Sequence, residues 1–318
     1  MKQSQVLITD DVHPDLISGL EDMGYQVDYQ PMITAADCFS MIDSYTGLVL
    51  NSKIIVDAAF MNQAKHLKWV ARLGSGLEII DQVEASMRGI VVINSPEGNR
   101  NAVGEHLVGM LLSIARNLNQ ADQQIRQGLW LREQNRGFEL KGKTIGIIGF
   151  GNNGQAFAEK LAGFEVQVLA YDKYKQHIGE GMRYVESCEL DYLQKHSDII
   201  SWHVPLTAET LKMGNSDFFK ACKVGVIILN ASRGKVIALK DLVEALDSGQ
   251  VRAACLDVFE NEQIAHFTDE EKTIFGRLAE MKNVILSPHI AGWTHESKRE
   301  IAHVLLRKLD KMALELNF

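Results

Sequence analysis

Cysteine is scarce in this chain: Cys38, Cys188, Cys222 and Cys255 are scattered, and no C-x-x-C occurs. That excludes a disulfide scaffold and predicts reduced, mostly buried thiols of a cytoplasmic protein. No apolar run approaches the length of a membrane-spanning helix. The opening Met1-Lys-Gln-Ser-Gln-Val-Leu-Ile-Thr-Asp10 has no long apolar stretch, so a secretory signal is not expected. Basic residues form no long run and the net charge is −8. Nucleic acid or an anionic membrane surface is therefore not expected as the main partner. No H-E-x-x-H occurs, and His295 and His303 are not at ligand spacing, so no metal site is expected. There is no short-period repeat and no low-complexity segment.

What is present is an alternation of apolar runs and helical patterns. The 318 residues, 46% hydrophobic and 23% charged, suffice for two globular domains. In the first hundred residues the apolar runs Val6 to Thr9, Tyr25 to Tyr29, Gly47 to Leu50, Trp69 to Leu73 and Ile90 to Ile93 read as strands. Pro14 to Met23 and Val56 to Ala64 have helical spacing between them. Such alternation predicts a parallel sheet with helices on both faces, an α/β architecture. Asn99 to Asn117 reads as one long helix, apolar over most of its circumference and so expected to be widely buried. Asn119 to Lys141 is polar and reads as a helix and an extended arm. A second alternating series starts at Thr144, with later strands at Ile199 to Val204, Val226 to Leu229, Ala253 to Val258 and Val284 to Leu286. His295 to Leu316 closes it as an amphipathic helix, with Thr294 as N-cap and Glu296 in the first turn.

The most specific pattern is Thr144-Ile-Gly-Ile-Ile-Gly149-Phe150-Gly151-Asn152-Asn153-Gly154. A buried strand runs into three glycines at G-x-G-x-x-G spacing, and a helix follows from Gln155 to about Leu161. Gly149 permits the tight turn, Gly151 lets backbone approach a pyrophosphate, and Gly154 lets helix and strand pack closely. The next strand, Val166 to Tyr171, ends in Asp172, 18 residues beyond Gly154, where an acid can hold the adenosine ribose hydroxyls. The whole predicts dinucleotide binding. Asp172 favours NAD, because a carboxylate repels the 2′-phosphate of NADP, although Lys173 and Lys175 follow it closely.

Ligands of open parallel sheets bind beyond the carboxyl ends of the strands. Beyond these strands lie Asn230-Ala-Ser-Arg233-Gly234, Asp257-Val-Phe-Glu-Asn-Glu262 and Ser-Pro288-His289-Ile-Ala-Gly292. Singly, each polar residue reads more simply as a surface charge or a hydrogen-bonded structural group. Together they suit hydride transfer from a 2-hydroxy acid. Histidine titrates near neutrality and serves as base, and a carboxylate beside it fixes tautomer and basicity. Arginine binds the substrate carboxylate.

At these motifs the sequence resembles the D-isomer-specific 2-hydroxyacid dehydrogenases, over nearly its whole length. Gly74-Ser75-Gly76 through Asp81, Gly89 through Pro96, Val103-Gly-Glu-His106, Leu140 through Gly149, His203-Val-Pro205 through Thr210, and the three rim segments match that family in order. The resemblance implies two doubly wound parallel-sheet domains. A Rossmann NAD-binding domain, 100–292, would be inserted in a flavodoxin-like substrate domain, 1–99 completed by 293–318. It implies Arg233, Glu262 and His289 as catalytic residues, and substrate contacts at Ser75, Gly76, Arg233 and His289. It implies cofactor contacts along 149–154 and at Asp172, His203, Pro205, Thr210, Ala231, Arg233, Asp257, His289 and Gly292. The helix 99–117 would form much of a homodimer interface.

Three residues depart from the family pattern. Asn153 replaces an aliphatic residue. Gln263 replaces the proline that often follows the glutamate, which predicts a looser loop. Trp293 either narrows the substrate pocket or packs under the last helix. Among family members, short phosphoglycerate dehydrogenases are most similar, and the stop at Phe318 implies that their C-terminal regulatory domains are lacking. 3-Phosphoglycerate is the expected substrate, with Lys53, Arg72, Arg100, Arg132 and Arg136 as candidate phosphate cations, although Asn51 stands where an arginine is common. Glyoxylate or hydroxypyruvate reduction is the main rival. Formate oxidation and an NAD(H)-sensing binding protein without turnover are the others.

Overall fold

The computed structural model describes residues 4–175 and 177–316. Met1, where the N-terminal reading begins, and Phe318, on which the reading of the chain's end rests, lie outside the described residues. The chain divides into two compact units, Met1–Asn99 with Trp293–Phe318, and Arg100–Gly292.

The first unit is built on strands β1 (Gln5–Ile8), β2 (Gln26–Tyr29), β3 (Gly47–Leu50), β4 (Trp69–Arg72) and β5 (Val91–Asn94). Every pair is parallel and the order is β2-β1-β3-β4-β5, the flavodoxin-like winding. Central β3 is buried at all four positions, which is why it reads as a continuous apolar run rather than an alternating one. A Cβ on Gly47 would lie 2.2 Å from the Trp69 ring, so glycine there makes room for a buried indole. Around the sheet lie α1 (Pro14–Asp22), α2 (Ala35–Met41), α3 (Ala58–Gln63) and α4 (Gln82–Met87). The helix expected from Val56 starts later, because Val56 bridges to Ile80 and Asp57 acts as N-cap, accepting from Phe60 N–H at 2.8 Å. The closing helix α12 (His295–Leu316) buries Ala302, Leu305 and Leu309 in one cluster with Leu16 and Leu20 of α1. Thr294 caps it, its hydroxyl accepting from Ser297 N–H at 3.0 Å.

The second unit opens with α5 (Arg100–Ala115) and α6 (Leu118–Arg126). The single helix expected over 99–117 ends at Ala115, because Asn117 turns left-handed at φ 52°. Phe138 N–H caps the Ala115 carbonyl at 2.8 Å, and Gly137 lies so close that a Cβ would meet that oxygen at 2.2 Å. Val103, Leu107, Met110 and Leu111 of α5 are buried in this unit's own core, so much of the helix's apolar circumference is used here.

The strands that follow are β6 (Thr144–Ile148), β7 (Gln167–Tyr171), β8 (Val185–Ser187), β9 (Ile199–Trp202), β10 (Val226–Asn230), β11 (Val251–Leu256) and β12 (Val284–Leu286). Among the described residues they form one all-parallel sheet in the order β12-β11-β10-β9-β6-β7-β8. Helices α7 (Asn152–Leu161), α8 (Leu190–His196), α9 (Ser216–Ala221), α10 (Leu239–Asp247) and α11 (Asp269–Glu280) connect them. The winding reverses between β6 and β9, the Rossmann switch point. Among the described residues no helix is long and apolar enough to cross a membrane.

Candidate functional site

The glycine turn follows β6, next to the switch point. Gly149 has φ 88°, and a Cβ there would lie 2.7 Å from the His203 carbonyl oxygen. Gly154 lies so close beneath it that a Cβ would meet the Gly149 carbonyl at 2.1 Å. A Cβ on Gly151, by contrast, would meet nothing within 4 Å. Helix α7 starts at Asn152, earlier than the expected Gln155, with extended Gly151 as N-cap and no side chain capping it. Open space over an uncapped helix N-terminus fits a pyrophosphate. The Asn153 Oδ1 beside it is buried and has no protein partner. Such an acceptor is rare in a native protein, and here it is available to a bound group.

Asp172 stands at the end of β7 and ties the turn to the following loop. One carboxylate oxygen accepts from Phe150 N–H at 2.8 Å, the other from Tyr174 and Lys175 N–H at 3.0 and 3.1 Å. A carboxylate has about four acceptor sites, so capacity for a ribose hydroxyl remains. The Lys175 ammonium donates to the Phe150 carbonyl at 2.8 Å.

Beyond β9, the His203 ring stacks on Phe157 with centroids 5.5 Å apart, and its Nε2 lies 2.8 Å from the Ser201 hydroxyl. Desolvation there pushes the imidazole down to about 3, so it is neutral at physiological pH. Thr210 then staples the segment, donating to the Pro205 carbonyl at 2.6 Å and accepting from Thr207 N–H at 2.8 Å.

The loops beyond β10, β11 and β12 bring the other candidates together. Asn230, buried at the end of β10, accepts from Ser232 N–H at 3.0 Å and donates to the Arg233 carbonyl at 3.0 Å, fixing the turn that presents Arg233. The Arg233 guanidinium donates to the Ser232 carbonyl at 2.7 Å. Ala231 packs partly buried against the core of the sheet. Gly234 permits contact with the next loop, since a Cβ would lie 1.8 Å from the Phe259 carbonyl. His289 Nδ1 lies 2.9 Å from Glu262 Oε2, with side chains 48% and 44% exposed, so the pair stays open to solvent and ligand.

His289 has φ 55°, uncommon for a side chain of this size. Asp257 holds it there. The Asp257 carbonyl accepts from His289 N–H at 2.7 Å, and its fully buried carboxylate accepts from Ile290 N–H at 2.9 Å, Ala291 N–H at 2.8 Å and the Ser287 hydroxyl at 2.6 Å. His106 Nε2 extends the network to Ser287 at 3.0 Å. The Asp257 carboxylate thus supports the loop that carries His289 through Gly292. Asn230, Ser287 and His106 were missed as supports. A polar residue closing an apolar strand, as Asn230 does, was a readable signal.

The loop carrying Glu262 is not left slack by Gln263. Asn261 accepts from Gln263 N–H at 2.9 Å and donates to Glu271 at 3.0 Å, and Glu271 closes a capping box with Thr268.

In the first unit, Ser75 and Gly76 follow β4. Gly74 N–H donates to the Ser95 hydroxyl at 2.9 Å, and the Asn94 amide donates to the Ser75 carbonyl at 2.7 Å. Arg72 donates to the Leu73 carbonyl at 2.8 Å, and Lys53 to the Pro31 carbonyl at 2.8 Å. Asn51 N–H donates to Asp10 at 2.8 Å. In the second unit Arg136 pairs with Glu133 at 2.8 Å, Arg132 is exposed, and Arg100 opens α5. Trp293 is 74% exposed, so it does not pack under the last helix.

The family model described as D-isomer specific 2-hydroxyacid dehydrogenase, NAD binding domain, matches residues 108–291. A D-3-phosphoglycerate dehydrogenase of Archaeoglobus fulgidus is 33% identical over 97% of this chain. The chain spans only 57% of that relative's length. A hydroxypyruvate reductase of Thermotoga maritima is 40% identical over 83% of both chains. Among solved structures, D-lactate dehydrogenase from Aquifex aeolicus, complexed with NAD and lactic acid, superposes with a TM-score of 0.84 at 25% identity, covering 98% of this chain and 96% of that one.

Proposed function

The chain belongs to the D-isomer specific 2-hydroxyacid dehydrogenase family, and from that membership and the rim geometry we propose that it is an NAD-dependent D-2-hydroxyacid dehydrogenase. The observation that carries this is the His289–Glu262 pair at 2.9 Å, on the same strand-end rim as the glycine turn and Arg233. Bound NAD would supply the hydride acceptor. Glu262 on Nδ1 orients the imidazole and stabilises its protonated form, so that Nε2 takes the hydroxyl proton in oxidation and returns it in reduction. Arg233 binds the substrate carboxylate and polarises the carbonyl oxygen in reduction. Amides of Ser75 and Gly76 are proposed as further carboxylate donors. Asp172 sets the preference for NAD over NADP.

Two substrates are proposed. The first is 3-phosphoglycerate, named for relatives such as that of Archaeoglobus fulgidus. The second is hydroxypyruvate, named for the relative of Thermotoga maritima. A homodimer through the α5 region is proposed as well. Leu118, Ile125, Leu129 and Trp130, at 52%, 53%, 44% and 78% exposure, supply apolar surface close to it in sequence. A reducing, cytoplasmic location suits four free thiols, whose burial raises each pKa above the usual range.

NADH oxidation by the purified chain with 3-phosphohydroxypyruvate, hydroxypyruvate, glyoxylate and pyruvate tests the assignment. Steady turnover with at least one is expected. NADH binding without turnover on any of the four would point instead to a sensor.

A further inference from the structure

Two loops flank the glycine turn because β6 lies between β7 and β9 in the sheet. They are bridged by one acid. Glu209, from the loop beyond β9, accepts from the Lys173 ammonium at 2.6 Å through one oxygen and from the Tyr174 hydroxyl at 2.9 Å through the other. Both donors follow Asp172 directly in the loop beyond β7. From these contacts we propose that Glu209 is a cofactor-discriminating residue: by holding Lys173 across the turn it draws a cation away from an adenosine 2′-phosphate.

The inference rests on the reading of this unit as an NAD site, and deepens it. An acid at the end of the second strand holds the ribose hydroxyls, and a nearby cation is what admits the 2′-phosphate of NADP. Two lysines following Asp172 would, as bare sequence, supply that cation. In the structure each is already engaged: Lys173 is on Glu209, and Lys175 is on the Phe150 carbonyl. The Thr210 staple to Pro205 and the Leu211 N–H bond to the Thr207 carbonyl, at 2.6 and 2.9 Å, fix the turn that presents Glu209. The charges respond to one another as the geometry requires: Lys173 holds the Glu209 carboxyl below its ordinary value, and Glu209 raises Lys173. Both side chains are 53% exposed, so the pair is weak and the discrimination it adds is several-fold rather than absolute.

Dissociation constants of NADH and NADPH, from fluorescence titration of the full chain, test this. The wild type, Glu209→Gln, Lys173→Ala and the double variant are compared. Wild type is expected to bind NADH more tightly. Glu209→Gln should lower the ratio of the NADPH to the NADH constant by ~3-fold or more, the size of one exposed charge interaction. In the Lys173→Ala background the same substitution should move the ratio much less. A ratio unchanged by Glu209→Gln, or an equal change with and without Lys173, overturns the proposal while the NAD site stands. Wild type that binds neither dinucleotide overturns the NAD reading and the proposal with it.

Discussion

At the scale of single residues, two features set this site apart from ordinary surface structure. His289 is held at a positive φ that costs on the order of 1–3 kcal/mol. The Asp257 contacts to His289, Ile290 and Ala291 offset that cost and aim the ring at Glu262. Asn153 carries a buried amide oxygen without a protein partner, at a position where its family usually has an aliphatic side chain. Among protein atoms nothing donates to it. Asn153→Val should therefore stabilise the ligand-free protein by about 1 kcal/mol. Urea unfolding reads this as a higher midpoint with an unchanged slope. A midpoint that stays or falls would show that the amide is satisfied in solution.

At the scale of elements, the joint between β9 and α7 depends on a neutral imidazole. His203 stacks on Phe157 of α7 and reaches Ser201 of β9. Its pKa falls from 6.5 to about 3 on folding. Between those values the unfolded chain binds more protons than the folded one. This contribution to stability is thus full above pH 6.5 and is lost as pH falls toward 3. Melting temperature should decline across that window, and His203→Asn should flatten part of the decline relative to neutral pH. Parallel curves for the two proteins would contradict a neutral buried His203. The neighbouring element, the loop between β11 and α11, is held differently from the expectation drawn from Gln263. A proline would rigidify that loop by fixing φ, whereas here Asn261 does so through side-chain hydrogen bonds to Gln263 and Glu271.

At the scale of the molecule, both sheets were legible because buried parallel strands are apolar at successive positions and end at polar or glycine residues. That punctuation also placed Arg233, Glu262 and His289 beyond the ends of adjacent strands. Other features were not legible. The end of α5 at Ala115, two residues before the expected Asn117, follows from one left-handed residue. Edge strand β8 has three residues and mixed burial, too little to signal a strand. The use of Asp257 on Ile290 and Ala291, and of Glu209 on Lys173, depends on partners more than thirty positions away, which composition and spacing do not reveal.

The proposed activity requires His289 to act as the proton-exchanging group in the second unit. The most direct measurement is turnover of His289→Ala beside its NADH dissociation constant. Turnover should fall by on the order of a hundredfold or more, while the dissociation constant moves far less. Turnover within a few-fold of wild type would contradict the assignment.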